Sequence, residues 1–323
     1  MLDTTIFNSS SSSFLIKMQT TIQSNLEKAA TATAATPARQ IEYVDTIQAY
    51  DQWAEIYDTD GNFLQALDTI EMRSLIPSFL SRIMKEGNPP LEENDGSSSR
   101  CIPKLKLKLI DLGCGTGRNT LQLLAFAPSD AEIVGLDASR GMLDVARGAV
   151  ERWFLQSSSS SSRNMSRVTL QQYDLLLSLS QQQCPARDAS GIISTLVLEH
   201  IPLDMFFAHA TSLLRPGGYL LVTNMHADMG ALSQAGFVDR ASGKKIRPER
   251  SYCHRVPDVI AAAAQEGFEV VVLNDENTTG DGAEGVRERS VTEEMVDVLG
   301  PRARKWVGVT VWFGVCFRKK FGL

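Results

Sequence analysis

The stretch with the most chemical content is Leu109-Ile110-Asp111-Leu112-Gly113-Cys114-Gly115-Thr116-Gly117: an apolar run, an acid, then a glycine-rich turn. Glycines let a backbone turn tightly at positive φ and let a ligand approach without meeting a Cβ. Dinucleotide sites space their glycines G-x-G-x-x-G and hold a pyrophosphate at the following helix N-terminus. Here the spacing is G-x-G-x-G, and Arg118 stands where the third glycine of that pattern belongs. With Asp111 two residues before Gly113, the turn suits a ligand presenting an ammonium group better than one presenting phosphates. A second acid, Asp137, closes the apolar run Ile133–Leu136 and precedes Ser139, a good helix N-cap. Its carboxylate then falls at the C-terminal edge of a sheet, where open α/β sheets bind ligands.

Groups able to move a proton near neutral pH are few. His200 follows an apolar run in Glu199-His200-Ile201-Pro202, while His226 and His254, the latter beside Tyr252, fall in the connection Asn224–Val256. His209 lies mid-helix and is assigned no role. Hydrolase and nucleotide-hydrolase signatures, a Gly-x-Ser-x-Gly elbow and a P-loop lysine motif, are absent. Cys101, Cys114, Cys184, Cys253 and Cys316 form no close pair and no metal-ligand spacing, so neither a metal site nor a disulfide framework is expected. Scattered thiols fit a reducing compartment, and a cytoplasmic location is the expectation.

These residues require a frame of alternating strands and helices. Leu105–Ile110 passes from Lys/Leu alternation into a fully apolar run, as a strand entering a core does. Thr116–Phe126 reads as a helix with Leu121, Leu124 and Ala125 on one face. Glu132–Leu136 is a second strand, followed by a helix burying Met142, Leu143, Ala146 and Val150. Val168–Gln172, Gly191–Leu196 and Tyr219–Asn224 are further strands, with helix Leu203–Leu214 between the last two. Helix Pro257–Glu266 starts with proline and stops at Gly267. Phe268–Leu273 and Val307–Phe317 are late strands suited to an antiparallel pair, with a weak helical pattern over Thr292–Leu299. This alternation predicts an α/β, doubly wound, mostly parallel sheet covered on both faces.

Composition bounds the rest. The chain has 323 residues, 43% hydrophobic and 22% charged, with a formal charge of −6 from 32 basic and 38 acidic side chains. An acidic balance with only short basic clusters, such as Lys244-Lys245, argues against a nucleic-acid partner. No apolar run is long enough to span a membrane. Residues 1–40, with Ser9–Ser13 and an Ala/Thr-rich stretch, read as a tail unable to bury enough surface to order itself. Polar stretches near 87–100 and 156–166 read as loop insertions in one domain over 41–320.

At this point the chain resembles the class I S-adenosylmethionine-dependent methyltransferases over about residues 41–320, close to the small-molecule branch. Asp111, Gly113, Cys114, Gly115 and Gly117 match the motif that lines the methionine end of the cofactor. Ile133–Asp137 matches the strand whose terminal acid grips the ribose hydroxyls, with Ala138 and Met142 beside it. Asp174 and Leu175 match the segment that meets adenine, and Thr195 and Leu196 end the fourth strand of the motif series. Upstream, Tyr50-Asp51-Gln52-Trp53-Ala54-Glu55-Ile56-Tyr57-Asp58 resembles a helical lid, which puts Tyr50, Trp53 and Tyr57 over the cofactor. The resemblance implies a Rossmann-like seven-stranded sheet, order 3-2-1-4-5-7-6 with strand seven antiparallel. S-adenosyl-L-methionine is the implied cofactor. The Asn/Asp-Pro-Pro-aromatic motif of DNA amino-methyltransferases is absent, Ser194-Thr195-Leu196 standing in its place.

The implied activity is methyl transfer to a small, hydrophobic metabolite, at oxygen, nitrogen or carbon, by a monomer or homodimer. An acceptor lining of Tyr50, Trp53, Tyr57, Met225, His226, Phe237, Tyr252 and His254 is expected, with His226 or His254 removing the acceptor's proton. The competing expectations are a non-catalytic or regulatory protein of this fold, and a methyltransferase acting on proteins.

Overall fold

The computed structural model describes residues 39–87, 106–156, 165–273 and 285–321. The tail, the two polar insertions and Cys101 read from the sequence fall almost entirely outside the described residues. In chain order the elements are β1 (Ile41–Val44), α1 (Thr46–Trp53), α2 (Phe63–Gly87), β2 (Lys108–Leu112), α3 (Arg118–Phe126) and β3 (Glu132–Asp137). Next come α4 (Arg140–Gln156), β4 (Val168–Gln172), β5 (Ala189–Thr195), α5 (Leu203–Leu213), β6 (Leu214–Met225) and α6 (Ala227–Gly230). The last are β7 (Phe237–Val238), β8 (Lys245–Pro248), α7 (Val256–Gln265), β9 (Phe268–Val271), β10 (Val286–Ser290), α8 (Glu293–Leu299) and β11 (Thr310–Lys319).

The main sheet runs β10-β11-β6-β5-β2-β3-β4, with β9 also pairing β11. From β4 to β6 every pairing is parallel, and β11 is antiparallel to β6. The sheet therefore has the expected order, with eight strands rather than seven. Strands β9 and β10 share the sixth position end to end, opposite Cys316–Lys319 and Thr310–Val315 of β11. A second sheet, β1-β8-β7, had no sequence counterpart.

All seven residues of β5 are buried, as a strand covered on both faces requires. Gly191 in β5 shows why one cover is tight: a Cβ there would lie 2.5 Å from Ile83 Cδ1 and 2.9 Å from Phe79 Cζ, both on α2. Helix α2 is also pinned by a buried carboxylate. Asp68 accepts from Arg118 Nη2 at 2.6 Å, Thr223 Oγ1 at 2.5 Å and Trp312 Nε1 at 2.9 Å, tying α2 to α3, β6 and β11. The expected face of α3 is rotated: Thr120, Leu123 and Leu124 are buried, Leu121 is half-buried and Ala125 is exposed. Helix α4 buries the expected Met142, Leu143, Ala146 and Val150, and Ser139 caps it by accepting from Met142 N at 3.0 Å.

Candidate active site

The C-terminal ends of β2, β3 and β5 open onto a cleft of about 740 Å³, counting the space open to solvent. Asp137 organises its floor. Its Oδ2 accepts from Gly115 N–H at 2.8 Å and its Oδ1 from Ser139 N–H at 2.9 Å, so one carboxylate ties the glycine turn to the start of α4. Burial pushes its pKa up to about 6, against those two hydrogen bonds. A carboxylate has about four acceptor sites, so each oxygen keeps capacity for a ligand hydroxyl.

The turn itself depends on glycine at Gly113, where φ is +76° and a Cβ would lie 2.3 Å from Val197 Cγ2. Gly113 and Gly115 line the cleft, whereas Gly117 sits behind it as the left-handed N-cap of α3. Cys114 faces away and is buried near Gly135, whose added Cβ would lie 3.2 Å from Sγ. Burial raises the Cys114 thiol well above its ordinary range, so it is an inert packing group. Asp111 is likewise buried behind the turn. Its Oδ2 accepts from Thr120 Oγ1 at 2.6 Å, Oδ1 has no partner, and burial pushes its pKa up to about 6.

Helix α1 closes the cleft. Asp45 caps it by accepting from Ile47 N and Gln48 N, and Asp51 Oδ1 docks it by accepting from Ser139 Oγ at 2.6 Å and Gly141 N at 2.9 Å. Tyr50, Trp53 and Tyr57 cluster, with ring centroids 5.0–6.1 Å apart. Tyr50 and Tyr57 line the cleft, and burial raises both phenols far above the physiological range. Trp53 turns outward from it, stacking on Phe237 at 5.3 Å and donating Nε1–H to Asp60 at 3.0 Å.

His200 lines the cleft as a latch. Its Nδ1 lies 3.2 Å from the Arg250 carbonyl, so that nitrogen carries the proton, and Nε2 accepts from Tyr50 Oη at 2.7 Å. Ala138, Met142, Asp174, Leu175, Thr195 and Leu196 also line the cleft. Asp174 Oδ1 accepts from Leu176 N at 2.8 Å and holds its loop as an Asx turn. That loop is braced from behind by His209: Nε2 faces the Leu177 carbonyl at 2.9 Å and Nδ1 accepts from Tyr173 Oη at 2.6 Å. Burial lowers the His209 pKa, which keeps the brace neutral. Leu196 has φ +57°, a left-handed conformation rare for a branched side chain and typical of functional strain.

A second cleft, also about 740 Å³, lies across Tyr50, Tyr57 and Leu196, which line both. Trp53, Phe63, Met225, Met229 and Trp306 give it apolar walls, and Glu199, Lys245, Arg302 and Lys305 give it charge. Glu199 is buried, its Oε2 has no partner, and its Oε1 is 3.9 Å from His200 Nε2. The structure does not bring the other two candidate histidines to either cleft. His226 caps α6 through Nδ1, with Nε2 3.6 Å from Glu288, and His254 Nε2 faces the Ile201 carbonyl at 3.0 Å while its ring stacks on Tyr252. Phe237 backs Trp53 instead of lining the cleft. Sequence reading gives no role to Glu199 or to the three cations; Glu199 adjoins a singled-out histidine, Lys245 stands in the basic pair Lys244-Lys245 read as surface charge, and no pattern marks Arg302 or Lys305.

Residues 103–277 match the model of a methyltransferase domain. An uncharacterized methyltransferase of Emericella nidulans is 58% identical over 280 residues, 85% of this chain and 91% of that protein. The chain belongs to the methyltransferase family. Among solved structures, an S-adenosylmethionine-dependent methyltransferase from Mesorhizobium loti is 20% identical with a TM-score of 0.44, covering 66% of this chain and 91% of that one. Magnesium protoporphyrin IX methyltransferase from Synechocystis, with bound S-adenosylhomocysteine, is 16% identical with a TM-score of 0.47, covering 84% and 94%. The first cleft fits S-adenosylmethionine, the cofactor expected from the sequence: acceptor capacity on Asp137, a glycine floor, and the orphaned Asp111 Oδ1 buried behind the turn. Among the described residues no group of three or more His, Cys, Asp or Glu could hold a metal, and no helix is long and apolar enough to cross a membrane.

Proposed function

We propose that the enzyme methylates a small molecule that enters the second cleft and meets the cofactor across the wall of Tyr50, Tyr57 and Leu196. Asp137 takes the ribose hydroxyls, the Asp174–Leu176 loop takes the adenine, and Gly113 and Gly115 accept the methionine portion. S-adenosylmethionine supplies an electrophilic methyl on a sulfonium, so the protein's work is alignment, exclusion of water and proton management. Helix α1 covers the cofactor cleft, and the latch from Tyr50 to His200 holds that cover shut. The acceptor's proton passes to Glu199, a carboxylate in the lining of the second cleft whose Oε2 is buried without a hydrogen-bond partner. His226 and His254, engaged elsewhere, are not needed for this step.

The observation that carries this reading is the shared wall: two clefts meet at three side chains, one cleft carrying the cofactor motifs and the other lined by the Glu199 carboxylate. A screen of metabolite fractions with methyl-labelled cofactor tests it. Label should appear in a small molecule, with stoichiometric S-adenosylhomocysteine, and should vanish in Asp137→Ala. Label recovered only in polypeptide would reassign the acceptor to protein. Cofactor binding without turnover on any fraction would leave a non-catalytic binder.

A further inference from the structure

The far end of the second cleft concentrates positive charge in a chain whose formal charge is −6. Lys245 projects from β8, while Arg302 and Lys305 come from the 3-10 turn Pro301–Trp306. Among the described residues, neither Lys245 nor Lys305 has an ion-pair partner; Lys305 Nζ lies 5.0 Å from the ring of Trp306. Arg302 is partly engaged, donating to the Asp60 carbonyl at 2.6 Å with Oδ2 of that residue 3.9 Å away. Lys245 is half-buried and Lys305 is exposed at the rim; partial desolvation lowers the pKa of both, and the neighbouring cations lower it further: Arg247, Lys305, Arg302 and Arg39 for Lys245, and Arg302 and Arg247 for Lys305. Clustered like charges disfavour the ammonium forms, most at the half-buried Lys245, and a bound anion would offset that repulsion.

Resting on the reading of this cleft as the acceptor site, we infer that the methyl acceptor is an amphipathic small acid. Its oxyanion sits on Lys245, Lys305 and Arg302, its apolar body lies against Trp306, Phe63 and Met229, and its nucleophilic O–H or N–H points to Glu199. In the transfer the acceptor's lone pair forms the new bond to the methyl carbon, the carbon–sulfur bond breaks with its electron pair on sulfur, and the proton goes to Glu199. The anion stays out of the chemistry and fixes which end of the acceptor reaches the wall.

The test uses a matched probe pair on the full chain saturated with S-adenosylhomocysteine. 8-Anilinonaphthalene-1-sulfonate and its uncharged counterpart N-phenyl-1-naphthylamine differ by one anionic group, and both report binding by fluorescence. The sulfonate should bind about tenfold or more tightly than the neutral dye, with a preference that shrinks as salt rises. Lys245→Met combined with Lys305→Met should abolish that preference while leaving S-adenosylhomocysteine affinity intact. Removing mutually repelling charges should not cost folding, and a melting curve checks that. Equal binding of the two dyes, or a preference that survives the double variant, overturns the inference. Parallel competition by an aryl carboxylate and an aryl phosphate distinguishes the two oxyanions. Retained dye preference with no methylated product in the labelled screen would sink the methyl-transfer reading and leave the anion site standing. Methylation of neutral acceptors without dye preference would do the reverse.

Discussion

The two clefts share a wall and differ in how they are built. The cofactor cleft sits on the ends of parallel strands, and its key carboxylate, Asp137, is held by two backbone N–H groups. The second cleft, the proposed acceptor site, is assembled from the lid, the strand end at Leu196–Glu199, the Met225–Gly236 connection, β8 and the turn Pro301–Trp306. One anchors each oxygen of its cleft-lining carboxylate on a backbone N–H, while the other, among the described residues, leaves Glu199 Oε2 without a hydrogen bond and Lys245 and Lys305 without an ion pair. A site that binds one invariant ligand can be preorganised by the sheet. A site that must fit a particular acceptor is made from connections, where substitutions cost the fold less.

The sharpest way to break this contrast is Asp137→Ala. Losing hydrogen bonds to a charged group should weaken S-adenosylhomocysteine binding by about 10²–10³-fold in calorimetry. Sulfonate-dye binding to the acceptor cleft should persist, and parallel loss of both would show that the clefts are not separate sites. Next in size, Glu199→Gln should lower kcat by about 10²-fold with cofactor affinity nearly unchanged, as for loss of a proton acceptor. An unaltered kcat would mean that the acceptor needs no base.

The pH dependence should separate the free from the loaded protein. Burial raises Asp111 and Asp137 to about 6 in the fold, above an unfolded carboxyl near ~4. The folded state thus holds these protons more tightly, so their contribution to stability is full below the unfolded pKa and is lost as pH rises through about 6. Melting temperatures of the cofactor-free protein should reflect that loss between those limits. Cofactor affinity should move the opposite way, falling about tenfold per pH unit below about 6, because only ionised Asp137 accepts two hydroxyls. The smallest effect is expected for Tyr50→Phe. Removing the bond to His200 should weaken cofactor binding by about three- to tenfold and hasten its release in stopped flow.

How far the molecule could be read in advance follows the same division. The glycine turn, Asp137 and the β2–β6 alternation were legible because each is a contiguous run whose local pattern forces its structure. Helix α2 was not named: it carries Pro77, and its apolar residues are spread around the helix instead of forming one stripe. Strand β10, Val-Arg-Glu-Arg-Ser, is an edge strand with no buried residue and so has no apolar alternation to betray it. Two of the histidines expected near the acceptor lie outside both clefts for a related reason. Residue type points to His226 and His254, but one ring nitrogen of each is engaged elsewhere, Nδ1 of His226 in a helix cap and Nε2 of His254 at the Ile201 carbonyl. Lys245, Arg302 and Lys305 look like ordinary surface charge until folding puts β8 beside the Pro301–Trp306 turn.

The wall common to both clefts has a thermodynamic consequence. Tyr50, Tyr57 and Leu196 cannot be fixed by a ligand on one side without changing what it costs to order them for a ligand on the other. Linkage then makes the effect mutual: whatever factor the cofactor contributes to acceptor affinity, the acceptor must return to cofactor affinity. A sulfonium donor and its thioether product differ by one methyl and one charge, so a wall that touches them would feel the difference. Transfer would then reset the coupling, and a loaded site would differ from a spent one in acceptor affinity without a separate sensor.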